Sequence, residues 1–239
     1  MSSLLGRARA VAVYPLSSST RGRDIGRYRN PSAYLRGVRS APGPFGRAGA
    51  SYYFYGRSNS YIQFPNRGRL DTRYAITLCA WIFHQGRAGP IFNYMPNGWG
   101  VHFWMITPRI LFARFTKRRG RRSSRHVASR TVQPGRWQFV GCTYDQRTGR
   151  AKLFVNNRFT ANRYVGRFRL ATNYPVRMGA RIGDGRYFRG RISCMQVFDK
   201  ALNRRQILRR RRRCFRRGNQ KFYVVDKIRV IVNTLTDLT

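Results

Sequence analysis

Glutamate is absent from this chain, and all seven acidic residues are Asp. Against them stand 49 Lys and Arg, only five of them Lys, for a formal net charge of +42. The shortage of carboxylates excludes a good deal of chemistry. Glycoside hydrolysis needs two carboxyl groups across the scissile bond, and Asp145 and Asp199 read instead as turn residues after strands. Calcium takes six to eight oxygens, several of them carboxylate. The nearest stretch, Arg181-Ile-Gly-Asp-Gly-Arg-Tyr187, offers Asp184 alone between two Arg, so Asp184 also reads as a turn residue. His84, His102 and His126 lack metal-ligand spacing, and no Ser-His-Asp or Cys-His arrangement is legible. Gly183-Asp-Gly185 lacks the strand-to-helix context of a phosphate loop. The chain is therefore expected to carry no catalytic residue, no metal and no cofactor. No run approaches ~18 apolar residues, so no transmembrane helix is expected. The first ten residues hold Arg7 and Arg9 where a secretory signal is apolar, and no Asn-x-Ser/Thr acceptor occurs. The chain is read as a fragment or as lacking its natural N-terminus.

What is present is a large stock of aromatic residues, 14% of 239. That favours a packed core over disorder, and the length suits one sizeable sandwich. The charge makes the surface a collector of polyanions: glycosaminoglycan, nucleic acid or anionic lipid headgroups. Two origins fit it. Arg can simply fill solvent-facing strand positions, or it can form a selected polyanion surface; avidity follows from either.

The pattern is one of short strands separated by turn residues. Ala10–Leu16 reads as a first strand, Ser17–Gly49 as loop, and Ala50–Tyr55 and Tyr61–Phe64 as strands. In Tyr74–His84, Thr77, Cys79, Trp81 and Phe83 alternate with Ile76, Leu78, Ala80 and Ile82, so both faces are apolar and both are expected to be covered. Pro90–Tyr94, Gly98–Ile106, Ile110–Phe115 and His126–Val132 follow, then Val176–Ala180 and Phe188–Phe198. Between them, Trp137–Tyr144 and Lys152–Val155 flank Asp145-Gln-Arg-Thr-Gly149, and Asn156-Asn157 offers a second turn into Phe159–Val165. Asn203 is a good N-cap for a helix over Arg204–Cys214. The tail contains a β-rich run, Phe222–Val232. The fold class is all-β: an antiparallel β-sandwich with one short C-terminal helix. It divides into a 1–10 extension, an 11–215 domain and a 216–239 tail.

Trp137-Gln-Phe-Val-Gly-Cys-Thr-Tyr-Asp145, the Thr-Gly turn, Lys152–Val155 and the Asn turn resemble the laminin-G-like and pentraxin-like jelly-roll domains of the concanavalin A-like lectin/glucanase superfamily. Gly190-Arg-Ile-Ser-Cys-Met-Gln-Val-Phe-Asp199, followed by Ala201-Leu202 and a helix containing Ile207, is similar to that family's closing pattern. The four cysteines allow three pairings, and buried free thiols are the alternative. The resemblance implies Cys79–Cys142, joining neighbouring strands, and Cys194–Cys214 as a terminal clasp. It also implies an extracellular, non-catalytic recognition or adhesion module for glycans, sulfated polysaccharides or matrix proteins. The contact groups expected are Arg118, Arg119, Arg121 and Arg122 on one loop, and Arg209, Arg210, Arg211, Arg212 and Arg213 on the helix, because the guanidinium fork suits sulfate and phosphate. Alternation in Gly98–Ile106 puts Trp99 and Phe103 on one face and His102 and Trp104 on the other. Trp99, beside two Gly, is the candidate for stacking a sugar. The rival reading is an intracellular nucleic-acid-binding protein, favoured by the charge and opposed by the paired cysteines.

Overall fold

The computed structural model describes residues 9–119 and 124–215. The strands are β1 (Ala12–Tyr14), β2 (Tyr34–Arg36), β3 (Val38–Ala41), β4 (Ser51–Tyr55), β5 (Tyr61–Phe64), β6 (Ala75–His84), β7 (Gly89–Tyr94) and β8 (His102–Met105). They continue as β9 (Leu111–Thr116), β10 (Ser124–Ser129), β11 (Gln138–Asp145), β12 (Arg150–Val155), β13 (Arg158–Tyr164), β14 (Val176–Met178) and β15 (Arg189–Phe198), followed by the helix α1 (Arg204–Leu208). An eight-stranded sheet runs β13-β12-β11-β6-β15-β4-β3, with β1 also on β15; a seven-stranded sheet runs β10-β9-β8-β7-β14-β5-β2. The jelly-roll sandwich expected from the sequence is the observed architecture. The tail run Phe222–Val232 lies outside the described residues.

Period-two alternation builds the core. Ile76, Leu78, Ala80 and Ile82 of β6 enter the space between the sheets with Phe103, Met105, Leu111, Ala113 and Phe115 from β8 and β9. Each large apolar side chain gains roughly 1.5–3 kcal/mol on burial. The opposite face of β6 is covered over Cys79 and Trp81 but not over Phe83, which is half-buried. Cys79 and Trp81 pack with Val13, Phe139, Phe154, Phe198, Ile207 and Phe215 beneath the C-terminal segment. The β11–β12 turn forms as its residues dictate. Asp145 Oδ1 accepts from Arg147 N at 2.9 Å, and Gly149 sits at φ +65° and donates to Asp145 O at 2.8 Å. Asn156, at φ +57°, makes the next turn.

Two strands, β2 and β3, arise inside the segment expected to be loop. Each is short, lies at a sheet edge and is largely solvent-facing, so neither carries an apolar alternation. The helix is shorter than expected. Asn203 and Gln206 form a reciprocal cap at its start, but it stops at Leu208. Continuing it would set consecutive Arg at mutually repelling i,i+3 and i,i+4 positions. The chain instead turns and enters a 3-10 turn at Arg213–Phe215.

The cysteines need one correction. Cys194 and Cys214 are bonded, with Cα atoms 5.7 Å apart. Cys79 and Cys142 are free and buried. Their strands β6 and β11 are neighbours as expected, but Cys79 stands opposite Gly141 and Cys142 opposite Leu78. That one-residue offset sends the two side chains to opposite faces of the sheet: Cys142 into the inter-sheet core, Cys79 under the C-terminal segment. Cys194 reaches the outer side through a bulge in β15. Its φ is +53°, and its N–H bonds to Pro15 O rather than to β6.

Thiol counting tests this arrangement. Denatured, unreduced protein is expected to react at Cys79 and Cys142 only, and native protein at neither, since burial pushes the Cys79 thiol up to about 12 and raises that of Cys142 as well. Reaction at all four cysteines, or at none, after denaturation would contradict the structure.

Candidate functional site

The outer face of the seven-stranded sheet gathers polar, cationic and aromatic side chains, and register sets them out. Asn93, His102, Arg114 and His126 stand opposite one another across β7, β8, β9 and β10. The next row places Pro90, Trp104, Phe112 and Ala128 side by side. Their strand neighbours Phe103, Ala113 and Val127 point into the core, so the outward rows follow from the pleat.

Ahead of β8 the chain makes a tight turn. Met95 has φ +62°, and Gly98 N donates to Met95 O at 3.1 Å. A Cβ on Gly100 would lie 2.7 Å from Tyr94 O, so only Gly fits there. This turn overturns the face expected for Trp99. Residues 95–101 are not strand, and the Trp99 ring comes to the outer side, 6.2 Å from the His102 ring and 42% exposed. His102 is in turn 5.6 Å from the Trp104 ring. Trp104 Nε1 donates to Asn93 Oδ1 at 3.0 Å, which fixes the indole.

Guanidiniums close over these rings. Arg114 lies 4.4 Å from the Trp99 centroid and 5.3 Å from that of Phe112, and Arg186 lies 4.8 Å from that of Trp104. Asp184 accepts from Arg186 Nε at 2.9 Å and Nη2 at 2.6 Å, and from Arg181 Nη1 at 3.3 Å. Hydrogen bonding from Arg186 holds the Asp184 carboxyl below its usual range. Arg114 is pushed down by burial and then by Arg186 and Arg181. Burial, and then Arg114, lowers His102 to about 3, so its imidazole is neutral. His102 Nε2 and Arg181 Nε are buried without a hydrogen-bond partner among the described residues. Arg181 and Arg186 thus share one carboxylate, while Arg114, in the field of both, lies over an exposed indole with no carboxylate of its own among the described residues. Such a site attracts an anion that also has an apolar face. Among the described residues, no group of three His, Cys or Asp side chains could hold a metal ion.

The arginines expected from the sequence are distributed differently. Arg118 is a brace: its fork bonds Asp71 at 2.7 and 2.9 Å, and Thr172 Oγ1 donates to the same carboxylate at 2.9 Å. A guanidinium so engaged is not offered to a ligand, which corrects its expected role. Arg119 is exposed, and Arg121 and Arg122 lie outside the described residues. Arg209 and Arg213 are exposed. Arg210, Arg211 and Arg212 lie over Phe198, Trp81 and Phe45 at 5.3, 5.2 and 5.5 Å. That run caps the outer side of the eight-stranded sheet, across the sandwich from Trp99, so the two do not form one site. Arg114, Arg181 and Arg186 are not among the contact groups expected from the sequence. The legible signal is Arg114 standing alone in the otherwise apolar run Leu111-Phe-Ala-Arg-Phe115.

Residues 56–208 match the family model described as Concanavalin A-like lectin/glucanases superfamily. No curated protein sequence matches the chain. Among solved structures, the binding domain of Paraclostridial Mosquitocidal Protein 1 is similar, with TM-score 0.68 at 13% identity over 84% of this chain and 51% of that one. The botulinum neurotoxin serotype G binding domain gives TM-score 0.65 at 13% identity, over 84% and 50%. The botulinum neurotoxin serotype D ligand-binding domain, solved in complex with N-acetylneuraminic acid, gives the same values. The chain spans about half the length of these structures, and at this identity the likeness is one of fold.

The neutral histidines make stability depend on pH. Burial lowers His84 to about 4 and His102 to about 3, against 6.5 for the ordinary side chain. Folded values below the unfolded one mean that their contribution to stability is complete above pH ~6.5 and is lost as pH falls toward 4 and 3. Tm should fall on acidification from about pH 7 to about pH 4, and His102→Gln should flatten that limb. An equally steep limb in the variant would contradict a buried neutral imidazole at this position.

Proposed function

Because this chain belongs to the concanavalin A-like lectin/glucanases superfamily, we propose that it is a non-catalytic carbohydrate-binding module for acidic glycans. The observation that carries the reading is Arg114, stacked on the exposed ring of Trp99 and lying in the field of Arg181 and Arg186, which share the one carboxylate Asp184. The apolar C–H face of a sugar stacks on Trp99. Its carboxylate or sulfate pairs with Arg114, where a charged hydrogen bond contributes about 1.5–3 kcal/mol, and Arg186, engaged by Asp184, adds positive charge beside it. The rings hold these guanidiniums in place before the ligand arrives, so little side-chain entropy is lost on binding. The N-acetylneuraminic acid of the similar neurotoxin domain is a carboxylated sugar of this kind. It supports the ligand class for this chain without identifying the subsite. The exposed Arg119, Arg209 and Arg213 act at longer range, steering sulfated polysaccharides and other polyanions toward the surface. The Cys194–Cys214 bond suits an oxidising, extracellular setting.

Calorimetric titration of acidic against neutral oligosaccharides tests the reading. Sialylated or uronate-bearing oligosaccharides should bind at least ten-fold more tightly than their neutral counterparts. Trp99→Ala and Arg114→Gln should each weaken that binding ten-fold or more, in keeping with a loss of roughly 1.4 kcal/mol. Equal affinity for acidic and neutral sugars, or wild-type binding by both folded variants, would refute the proposal.

A further inference from the structure

The eight-stranded sheet also has an outer face, and the C-terminal cap covers only part of it. Beyond Trp81 the strand register sets a second row in the open. Phe83 of β6 stands opposite Arg191 of β15; Arg191 stands opposite Tyr53 of β4; and Tyr53 stands opposite Arg39 of β3. Trp137, just before β11, extends the row, its ring 5.8 Å from that of Phe83. Phe83, Trp137, Arg191 and Tyr53 are half-buried, and Arg39 is exposed. Every position is a flat group, and neighbouring strands are ~4.8 Å apart.

The row is held in place. The Arg191 guanidinium lies 4.0 Å from the Phe83 centroid and 5.3 Å from that of Trp137, and its Nη1 donates to Pro42 O at 3.1 Å. Tyr53 packs edge-on against Tyr55 at 4.9 Å. The Tyr53 hydroxyl donates to Gln85 Oε1 at 2.7 Å. Arg189 Nε then donates to that hydroxyl at 3.5 Å. The ion pairs of the described residues involve Arg73, Arg118, Arg147, Arg181 and Arg186, all elsewhere.

Two chemical facts select the partner. Guanidinium and indole N–H groups only donate, and Gln85 Oε1 is already engaged, so the surface asks for a ligand rich in acceptors. A neutral sugar, whose hydroxyls need acceptors as well as donors, is poorly served. Flat groups at strand spacing, flanked by cations, also ask for planar faces to stack on them. Unpaired bases on a phosphodiester chain supply both. In a duplex those faces are already stacked on one another.

We infer that this face is a binding platform for single-stranded nucleic acid, with bases stacking on Tyr53, Phe83, Trp137 and the plane of Arg191 and phosphates reaching Arg39 and Arg189. It is separate from the proposed glycan site on the other sheet and does not depend on it. Recognition is tolerant of sequence, because every base has a face to stack.

Fluorescence anisotropy with a labelled oligothymidylate of about twelve nucleotides, at about 150 mM NaCl, tests this. Competition by a duplex and by a heparin fragment of equal charge identifies the preferred class. The single strand should bind at least ten-fold more tightly than either competitor. Phe83→Leu, which keeps the packing, and Tyr53→Ser should each weaken it at least five-fold without changing the salt slope, since stacking releases no counterions. Acidic-oligosaccharide affinity should be unchanged in both variants. Equal competition by duplex would reduce the platform to non-specific charge, and tighter binding of heparin would assign the face to sulfated polysaccharide. Wild-type oligonucleotide affinity in both folded variants would likewise overturn the inference.

Discussion

Like-charge repulsion is the constraint under which every other part of this structure is arranged. With 49 basic and seven acidic residues, ion pairing cannot neutralise the surface, and the folded state concentrates charge that the unfolded chain would spread out. Two devices stand in for the missing carboxylates. Guanidiniums lie over ring faces, as Arg177 does over Tyr61 at 3.9 Å and Arg69 over Tyr28 at 4.9 Å. Others bond backbone carbonyls, as Arg163 does to His126 O and Arg87 to Gly56 O. Each cation–π contact contributes only ~0.5–1 kcal/mol at an exposed site. Arg suits this role better than Lys because its cation is planar and weakly hydrated, and Lys is correspondingly scarce. The few carboxylates serve where geometry is most demanding. Buried Asp24 accepts from Val13 N, Gly26 N and Asn30 N and so ties the first long loop to β1. Asp71 anchors Arg118, and Asp184 organises Arg181 and Arg186 near Trp99.

The fold is legible because burial leaves a strong imprint on sequence. β6 is readable from its two apolar faces, and β11–β12 from the Asp-Thr-Gly turn between them. β2 and β3 are not, since short solvent-facing edge strands bury too little to show a pattern. Local signals overextend the helix, because propensity and capping are local, whereas its end is set by repulsion among Arg209–Arg213 and by the rings of Phe198, Trp81 and Phe45 that draw three of them aside. The unformed Cys79–Cys142 bridge has the same character. Which strands are neighbours follows from the family resemblance, but disulfide formation depends on register to a single residue, and Cys79 faces away from Cys142.

The candidate site is less legible than the fold. Trp99 is readable as a ring beside a Gly turn, but period-two alternation begun at Gly98 assigns it the wrong face, because residues 98–101 still belong to the turn and the strand starts only at His102. Arg114 stands on β9, whereas Arg181 and Arg186 share the loop between β14 and β15, and the strand and the loop meet only in three dimensions. Runs of Arg are more conspicuous in the sequence, yet a run is a poor guide: Arg118 is engaged by Asp71, and Arg210 to Arg212 lie against rings. In a chain with this much Arg, the informative arginine is the one placed among aromatic side chains on an outward row.

Thermal unfolding as a function of sodium chloride tests the electrostatic account most directly. If unneutralised repulsion opposes folding, screening it should raise Tm steadily between about 20 and about 500 mM salt, over which the Debye length shrinks from roughly 20 Å to a few Å. A Tm that falls or stays flat over that range would show that attractive pairs, rather than repulsion relieved by rings and carbonyls, govern the charge balance of this protein.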